Sequence, residues 1–328
     1  MNTKKIHKEL SLFFFLVGLV LLGFLVHRVG VGQVMDVFTS LGFKIGYVFI
    51  FPVTWYLVQS VAWWWLFDDG DVRVPFLHVF LAKISGEAVN TVTPVSFLGG
   101  DPLRIYLLQK RVSRTNATAS VVIDRTMYML GVCMLLLVTL IAAWFYLPLP
   151  GAWQILFPVF TVLLFAAFVL LVIFEKNGMF SMLSRVLQRT GIQRDRLAEL
   201  SDKIENLDRQ IGSFYKENKT LFFGVMLLQF VGRFLGVVEI YLIVSLLNLP
   251  VPFIHCLFMA SLTILINMAF VFIPGSMGVM EGGYGALLYL LKLDPAYGIV
   301  IQLIRRIRSF FWIGVGLIVI LIYRPHKV

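Results

Sequence analysis

The sequence predicts an all-α polytopic membrane protein with about six full transmembrane helices and two broken or re-entrant hairpins in inverted repeats. Three observations predict it. Apolar runs of about 20 residues, the length a helix needs to cross a bilayer, recur along the chain. Charged residues make up 14% of a 328-residue chain with mean hydropathy +0.88, against about a quarter charged in ordinary globular domains. A series of landmarks also occurs twice at matching spacings. The net charge of +10 then belongs on cytoplasmic loops facing anionic lipid, and no nucleic-acid partner is expected. Cys133 and Cys256 both lie in apolar runs, which suits neither a disulfide framework nor a metal site.

Lys4, Lys5 and Lys8 precede the apolar run Leu10 to Val26. No small-x-small cleavage site follows, so this reads as an uncleaved first span with its N-terminus inside. A second span runs from about Phe43 to Phe67 and ends in Trp63-Trp64-Trp65, an interfacial aromatic cluster. Phe76 to Leu108 is apolar in parts but carries Lys83, Glu87, Asn90, Asp101 and Arg104, and Pro94, Gly99, Gly100 and Pro102 interrupt it. A helix–break–helix hairpin that leaves by the face it entered fits this pattern. Spans three and four are expected at about Ala117–Leu147 and Trp153–Phe174.

Glu175 to Thr220 is a long polar stretch with nine Lys/Arg and seven Asp/Glu. Its Leu197, Leu200, Ile204, Leu207, Ile211 and Phe214 recur at three- and four-residue spacing, which makes an amphipathic helix. Lying on the membrane, packing on the core and pairing with a partner helix are the readings open to it. The fifth span is expected at Leu221–Leu247. A second broken region covers Phe253–Leu291, with a Pro- and Gly-rich break at Ile273–Gly285, and the last span is Gly298–Tyr323. The expected organisation is one membrane domain over 1–328, with repeat one at about 43–147, repeat two at about 221–323 and a cytoplasmic segment at about 175–220. Loop charge places both termini and the basic cluster Lys110, Arg111 and Arg114 in the cytoplasm of a cell-membrane protein. The outside loops near 148–152 and 248–252 have no Lys or Arg, as the positive-inside rule requires.

The repeat rests on four landmarks. Val74-Pro75-Phe76-Leu77-His78 recurs as Val251-Pro252-Phe253-Ile254-His255. Pro94 lies 19 residues after Pro75, and Pro274 lies 22 after Pro252. Asp101 and Glu281 each follow their proline by seven residues, and Arg125 and Arg305 each follow their acid by 24. The expected topology inverts one copy relative to the other, the plan of many secondary transporters.

A charge at the bilayer centre costs about 3 kcal/mol on insertion scales. This chain places Glu87, Asp101, Arg104, Asp124, Arg125, Arg233, Glu239, Glu281, Arg305, Arg306 and Arg308 in or near apolar segments. Pairing or a wet cavity must hold them. Asp101 and Arg104 share a helix face, as do Arg305 and Arg308, with Arg306 turned about 100° away. Arginine suits bidentate phosphate recognition, and half-helix N-termini with Gly-rich turns at 99–100 and 282–285 add N–H groups for an anion. The expected lipid-binding set is therefore Arg104, Arg125, Arg305 and Arg306, with Asp101 and Glu281 as balancing or proton-coupled carboxylates. Pro94, Gly100, Pro274 and Gly278 shape the breaks. Asp124 and Arg125 also read as inter-helix ion pairs, and Arg233 and Glu239, six apart on different faces, as inter-helix pairs or interface anchors. There is no P-loop or His-Glu-x-x-His motif, and no catalytic, cofactor or metal residue is expected. Asp69-Gly70-Asp71 reads as a solvated loop, with a metal-binding Asp-x-Asp as its sharper alternative.

Asn90-Thr-Val-Thr-Pro94 with Gly99-Gly100-Asp101-Pro-Leu-Arg104, then Val122-Ile-Asp124-Arg125, then Pro274-Gly-Ser-Met-Gly278 with Glu281, resembles the lysylphosphatidylglycerol synthase transmembrane region family over about residues 10–325. The chain departs from the family's common Gly-x-x-Gly-Asp form with Val95-Ser-Phe-Leu-Gly-Gly-Asp101, and Asp124-Arg125 stands where the family often has Glu-Arg. The resemblance implies a flippase-like role without the soluble aminoacyl-transfer domain or its lysyl-transferase activity. Relatives linked to glycolipid, polyprenyl-phosphate or hopanoid pathways leave the substrate open. The expected function is translocation of an anionic or phosphate-bearing lipid, more a transporter than an enzyme. The alternative is a lipid-modifying enzyme or accessory protein in those pathways, and a third reading is a scaffold using the 195–216 helix. The expected partner is a membrane lipid, with a homo-oligomer left open.

Overall fold

The computed structural model describes residues 39, 42–67, 74–92, 99–109, 111–146, 151–189, 201–217, 219–270 and 278–322. Regular structure among them is entirely helical. Gly42–Phe67 forms one apolar helical stretch of 26 residues, comprising α1 (Ile45–Ile50), α2 (Pro52–Trp64) and a 3-10 turn at each end. Pro52 has no N–H to continue the α1 ladder. The helix restarts there, and the N–H and hydroxyl of Thr54 both donate to the Phe51 carbonyl, at 3.0 and 2.7 Å.

The chain continues through α3 (Phe76–Val92), α4 (Gly100–Leu108), α5 (Arg114–Tyr146), α6 (Gly151–Lys176), α7 (Met179–Arg189) and α8 (Ser201–Glu217). It ends with α9 (Lys219–Leu246), α10 (Phe253–Ala269), α11 (Val279–Leu290) and α12 (Pro295–Ile322). Gly42–Phe67, α5 and α9 are long and apolar enough to cross a membrane. α6 leaves Phe160, Leu163, Phe165, Leu170 and Phe174 exposed, a lipid-facing surface that water would not tolerate at this extent. α12 has 28 residues, length enough to span, although Arg305, Arg306 and Arg308 lower its hydropathy. The expected first span, Pro94 and Pro274 lie outside the described residues, whereas the expected break Ile273–Gly285 is helical from Val279 onward, so its Gly282–Gly285 stretch is not a turn but lies within the first two turns of α11.

α3 and α10 have 17 residues each, about 26 Å at helical rise and shorter than a hydrocarbon core of about 30 Å. A long apolar helix, a 17-residue helix, a short helix and a long helix follow one another in 42–146 and again in 219–322.

The chain forms two compact units. The first takes in the described parts of Met1–Leu57, Phe80–Leu107 and Phe234–Val328. Glycines set its closest helix approaches. A Cβ on Gly100 would lie 2.1 Å from the Gly86 carbonyl oxygen, so α3 and α4 touch backbone to backbone. The Gly100 N–H donates to Asn90 Oδ1 at 2.9 Å, which fixes the α4 N-terminus on α3. A Cβ on Gly298 would meet the Tyr284 backbone at 2.7 Å, and one on Gly316 would meet the Ala88 Cβ at 2.3 Å. Thus α12 is seated on α11 at one level and on α3 at another. Trp312 Nε1 donates to the Phe49 carbonyl at 2.9 Å and ties α12 to α1.

The second unit comprises Val58–Val79 and Leu108–Arg233. Its core joins Ala62 of α2, Ile123, Met127 and Leu130 of α5, Ile211 and Phe214 of α8, and Val225 of α9. The apolar face of the polar segment therefore packs on the core. Two carboxylates fasten the segment. Glu175, at the end of α6, accepts from Thr126 Oγ1 at 2.6 Å and from the Tyr215 hydroxyl at 2.7 Å. Burial, and then the Glu175 charge, push the Tyr215 phenol well above its ordinary range, so it remains a donor. Asp208 of α8 accepts from the Phe180 and Ser181 N–H groups at 3.1 and 2.6 Å, satisfying donors that the first turn of α7 leaves open. The sequence pattern did not single out α7.

Gly100→Ala is expected to lower the thermal midpoint of the detergent-solubilised protein, by the equivalent of about 1–3 kcal/mol. Gly314→Ala, where a Cβ meets nothing within 4 Å, is expected to leave that midpoint unchanged or raise it. Tyr215→Phe should destabilise by about 1–3 kcal/mol, because it strips a donor from a carboxylate that is 3% exposed. Chemical unfolding followed by tryptophan fluorescence reads this change.

Candidate functional site

Arg305 and Arg308 of α12 lie on one face and meet one carboxylate. Glu239 of α9, 1% exposed, accepts from Arg305 Nε at 3.5 Å through Oε2 and pairs with Arg308 Nη1 at 3.1 Å through Oε1. Arg305 Nη1 also donates to Thr263 Oγ1 of α10 at 3.1 Å, to Gln302 Oε1 at 3.4 Å and to the Tyr284 hydroxyl of α11. Thr263 and Tyr284 share a further hydrogen bond of 2.6 Å. Four helices of the first unit thus converge on one guanidinium. Arg308 Cζ sits 5.1 Å from the centre of the Trp55 ring, a cation–π contact.

Arg306 points elsewhere, as its 100° offset requires. Its Nη2 lies 2.5 Å from Glu281 Oε1, with the arginine side chain 6% exposed and the glutamate 25%. Glu281 Oε2 accepts from the Gly278 N–H at 2.9 Å. One carboxylate therefore both caps α11 and neutralises Arg306, and it sits where the helix dipole favours negative charge. Gly278 has φ +78°, a conformation that a side chain would strain. Three guanidiniums stand against two carboxylates, Glu239 and Glu281, and 3 − 2 leaves one positive charge on this cluster.

Asp101 and Arg104 form a second pair in the first unit, at 3.2 Å, with Arg104 1% exposed. The arginine stem lies over Gly86, where a Cβ would come within 2.5 Å of it. Gly86 against Arg104 answers Thr263 against Tyr284. The first members are 177 residues apart, as Pro75 and Pro252 are, and the second are 180 apart, as Asp101 and Glu281 are.

Arg125 belongs to the second unit, its Cζ 5.7 Å from the Tyr128 ring centre. Asp124 beside it is engaged by Gln229 Nε2 at 2.7 Å. The structure thus brings Arg305, Arg306, Glu281 and Gly278 into one region and joins Asp101, Arg104 and Gly100 at the α3–α4 corner. Pro94, Pro274, Asp69 and Asp71 lie outside the described residues. Among the described residues no three His, Cys, Asp or Glu side chains could together hold a metal ion.

Sequence reasoning did not assign Thr263, Tyr284 and Gln302 to the site, and it left Glu239 as an inter-helix pair or anchor without naming its partners. Glu239 carried a signal, being the one acidic residue in the run Leu221–Leu247. Thr263 and Tyr284 look like ordinary residues of apolar helices.

These features define a polytopic membrane protein with arginine–carboxylate clusters inside its helical body. The chain belongs to the Lysylphosphatidylglycerol synthase TM region family, which it matches over residues 11–317. It is 24% identical over 290 residues to a UPF0104 membrane protein of Pyrococcus horikoshii, covering 83% of this chain and 84% of that one. A UPF0104 membrane protein of Methanothermobacter thermautotrophicus is 21% identical over 249 residues, 72% of each chain. No solved structure matches. The protein is an integral membrane protein.

Glu239→Gln keeps the shape of the hub and removes its charge. It should cost about 3–5 kcal/mol, as breaking a buried ion pair does. The double change Glu239→Gln with Arg308→Met should recover part of that loss, and thermal unfolding of the purified variants measures both.

Proposed function

We propose that this chain moves a phosphate-bearing lipid between leaflets, with Arg306 exchanging the Glu281 carboxylate for the lipid phosphate. The observation that carries this reading is the contrast between neighbouring arginines. Arg305 is held by Glu239, Thr263, Tyr284 and Gln302, whereas Arg306 is held by the more exposed Glu281. The excess positive charge favours an anion, and guanidinium geometry favours phosphate.

In this reading Arg305 supplies charge and position, and Arg104 is a further cation of the same unit. Asp101 and Glu281 balance the charge and take up a proton when their arginines change partner. Gly100 and Gly278 open the short helices, and Pro94 and Pro274 precede them in sequence by six and four residues. The twice-repeated helix order and the matched pairs 86/104 and 263/284 support two copies at about 43–147 and 221–323, inverted across the membrane. Both termini and segment 175–220 then face the cytoplasm of a cell-membrane protein. The family's description names a synthase of a modified phospholipid, which supports a lipid as the substrate class.

Vesicles of phosphatidylcholine carrying fluorescent phosphatidylglycerol test the proposal through the rate at which outer-leaflet reductant bleaches the probe. Wild type should speed exchange over protein-free vesicles. Arg306→Gln and Glu281→Gln should each slow it about tenfold or more, a barrier change of about 1.4 kcal/mol. Arg209→Ala, which removes an exposed pair with Glu205, should leave it unchanged. A wild-type rate equal to that of empty vesicles would sink the proposal.

A further inference from the structure

α7 leaves the end of a lipid-facing helix nearly at a right angle and keeps an apolar face open. The 26 residues of α6 measure about 39 Å at helical rise, more than a hydrocarbon core of about 30 Å. α6 therefore crosses the membrane without help from α7. Its last turn exposes Ile173 and Phe174. Between Lys176 and Met179 the helix axis then turns by 86°.

The local structure holds this bend in place. Gly178 has φ +90°, the left-handed conformation that ends a helix and that glycine adopts without strain. Asp208 of α8 takes three donors from the first residues of α7. They are the Phe180 and Ser181 N–H groups at 3.1 and 2.6 Å and the Ser181 hydroxyl at 2.5 Å. A helix nearly perpendicular to a membrane-crossing neighbour runs close to the membrane plane.

The sides of α7 differ. Phe180 packs on the core of the second unit. Met182, Leu183 and Val186 fall within about 100° of the helix circumference and are 51, 53 and 48% exposed. They come one bend after the exposed Ile173 and Phe174, so they continue the lipid-facing surface of α6. Ser181, Ser184 and Arg185 fall on the other side. Lys176 and Arg185 are both exposed, and the stretch from Lys176 to Arg189 contains no acidic residue. Long basic side chains beside an apolar helix face suit a headgroup layer.

The geometry points to α7 as an interfacial helix, with lipid as the occupant of its Met182–Leu183–Val186 face. That face sits about 5–10 Å into the headgroup and acyl boundary, in the leaflet where α6 ends. α8 turns its own apolar face to the core, so α7 is the part of the polar segment that touches the bilayer. The contact exists whether or not the chain moves lipid.

Fluorescence quenching of a label on Leu183→Cys tests this. Cys133 and Cys256 are buried, so the introduced thiol is the accessible one. The labelled full-length protein is placed in phosphatidylcholine nanodiscs, which leave both membrane faces open to solvent. A nitroxide on the lipid acyl chain close to the headgroup should quench this label about threefold or more above a label on Lys203→Cys, an exposed position of α8. Aqueous iodide should give the reverse order. Equal responses of the two labels to both quenchers would overturn the inference. Shielding of the Leu183 label from both quenchers would overturn it as well, because a protein surface would then cover the face. A label on Val186→Cys repeats the reading at a second exposed position, so the test survives the misfolding of one variant.

Discussion

The first unit depends on how a membrane helix with three arginines is kept inside it. Guanidiniums in a low-dielectric interior demand counter-charge, and Glu239 supplies it to two of them at once. Because Glu239 sits on α9 and its arginines on α12, the ion pairs also join helices far apart in sequence. Thr263 and Tyr284 add α10 and α11 to the same point. Replacing such a cluster with apolar residues would often be neutral or stabilising. Stability alone therefore does not account for placing so much charge here.

Small residues let the charges meet. Lipid tails are as apolar as leucine, so helices in membranes associate through close packing and polar contacts. Gly86 and Gly100 bring α3 onto α4 and leave room for the Arg104 stem, while Gly298 and Gly316 seat α12. In the second unit Gly131 does this for α5 and α9. Glu175 and Asp208 fasten the polar segment by accepting from hydroxyl and backbone donors. A carboxylate fed by several donors holds a helix end in place without a partner cation.

Much of the fold was legible in the sequence because the bilayer imposes a length on each span. The expected span Phe43–Phe67 is the helical stretch Gly42–Phe67, and Leu221–Leu247 is α9. The shared face of Arg305 and Arg308 was legible from their three-residue spacing, and so was the divergence of Arg306. Their partners were harder to read. Glu239 is 66 residues from Arg305, and no local pattern couples them. Tyr284 and Thr263 are unremarkable on apolar helices until a guanidinium reaches between them. The polar segment was legible as amphipathic, but periodicity does not say what covers the apolar face. The core around Ile211 and Phe214 covers it. α7 was not read at all, because only eleven residues carry its pattern.

The transport reading proposed above makes a direct demand on the lipid that stays with the protein. On that reading, three guanidiniums of α12 against the carboxylates of Glu239 and Glu281 would favour lipids of net negative phosphate charge over zwitterionic or neutral ones. The most direct measurement is the identity of lipids that stay with the protein through purification in mild detergent, quantified by mass spectrometry against the membrane of origin. The account predicts enrichment of phosphate-bearing anionic lipid over its share in that membrane. Retained lipid with the same composition as the bulk membrane would contradict it.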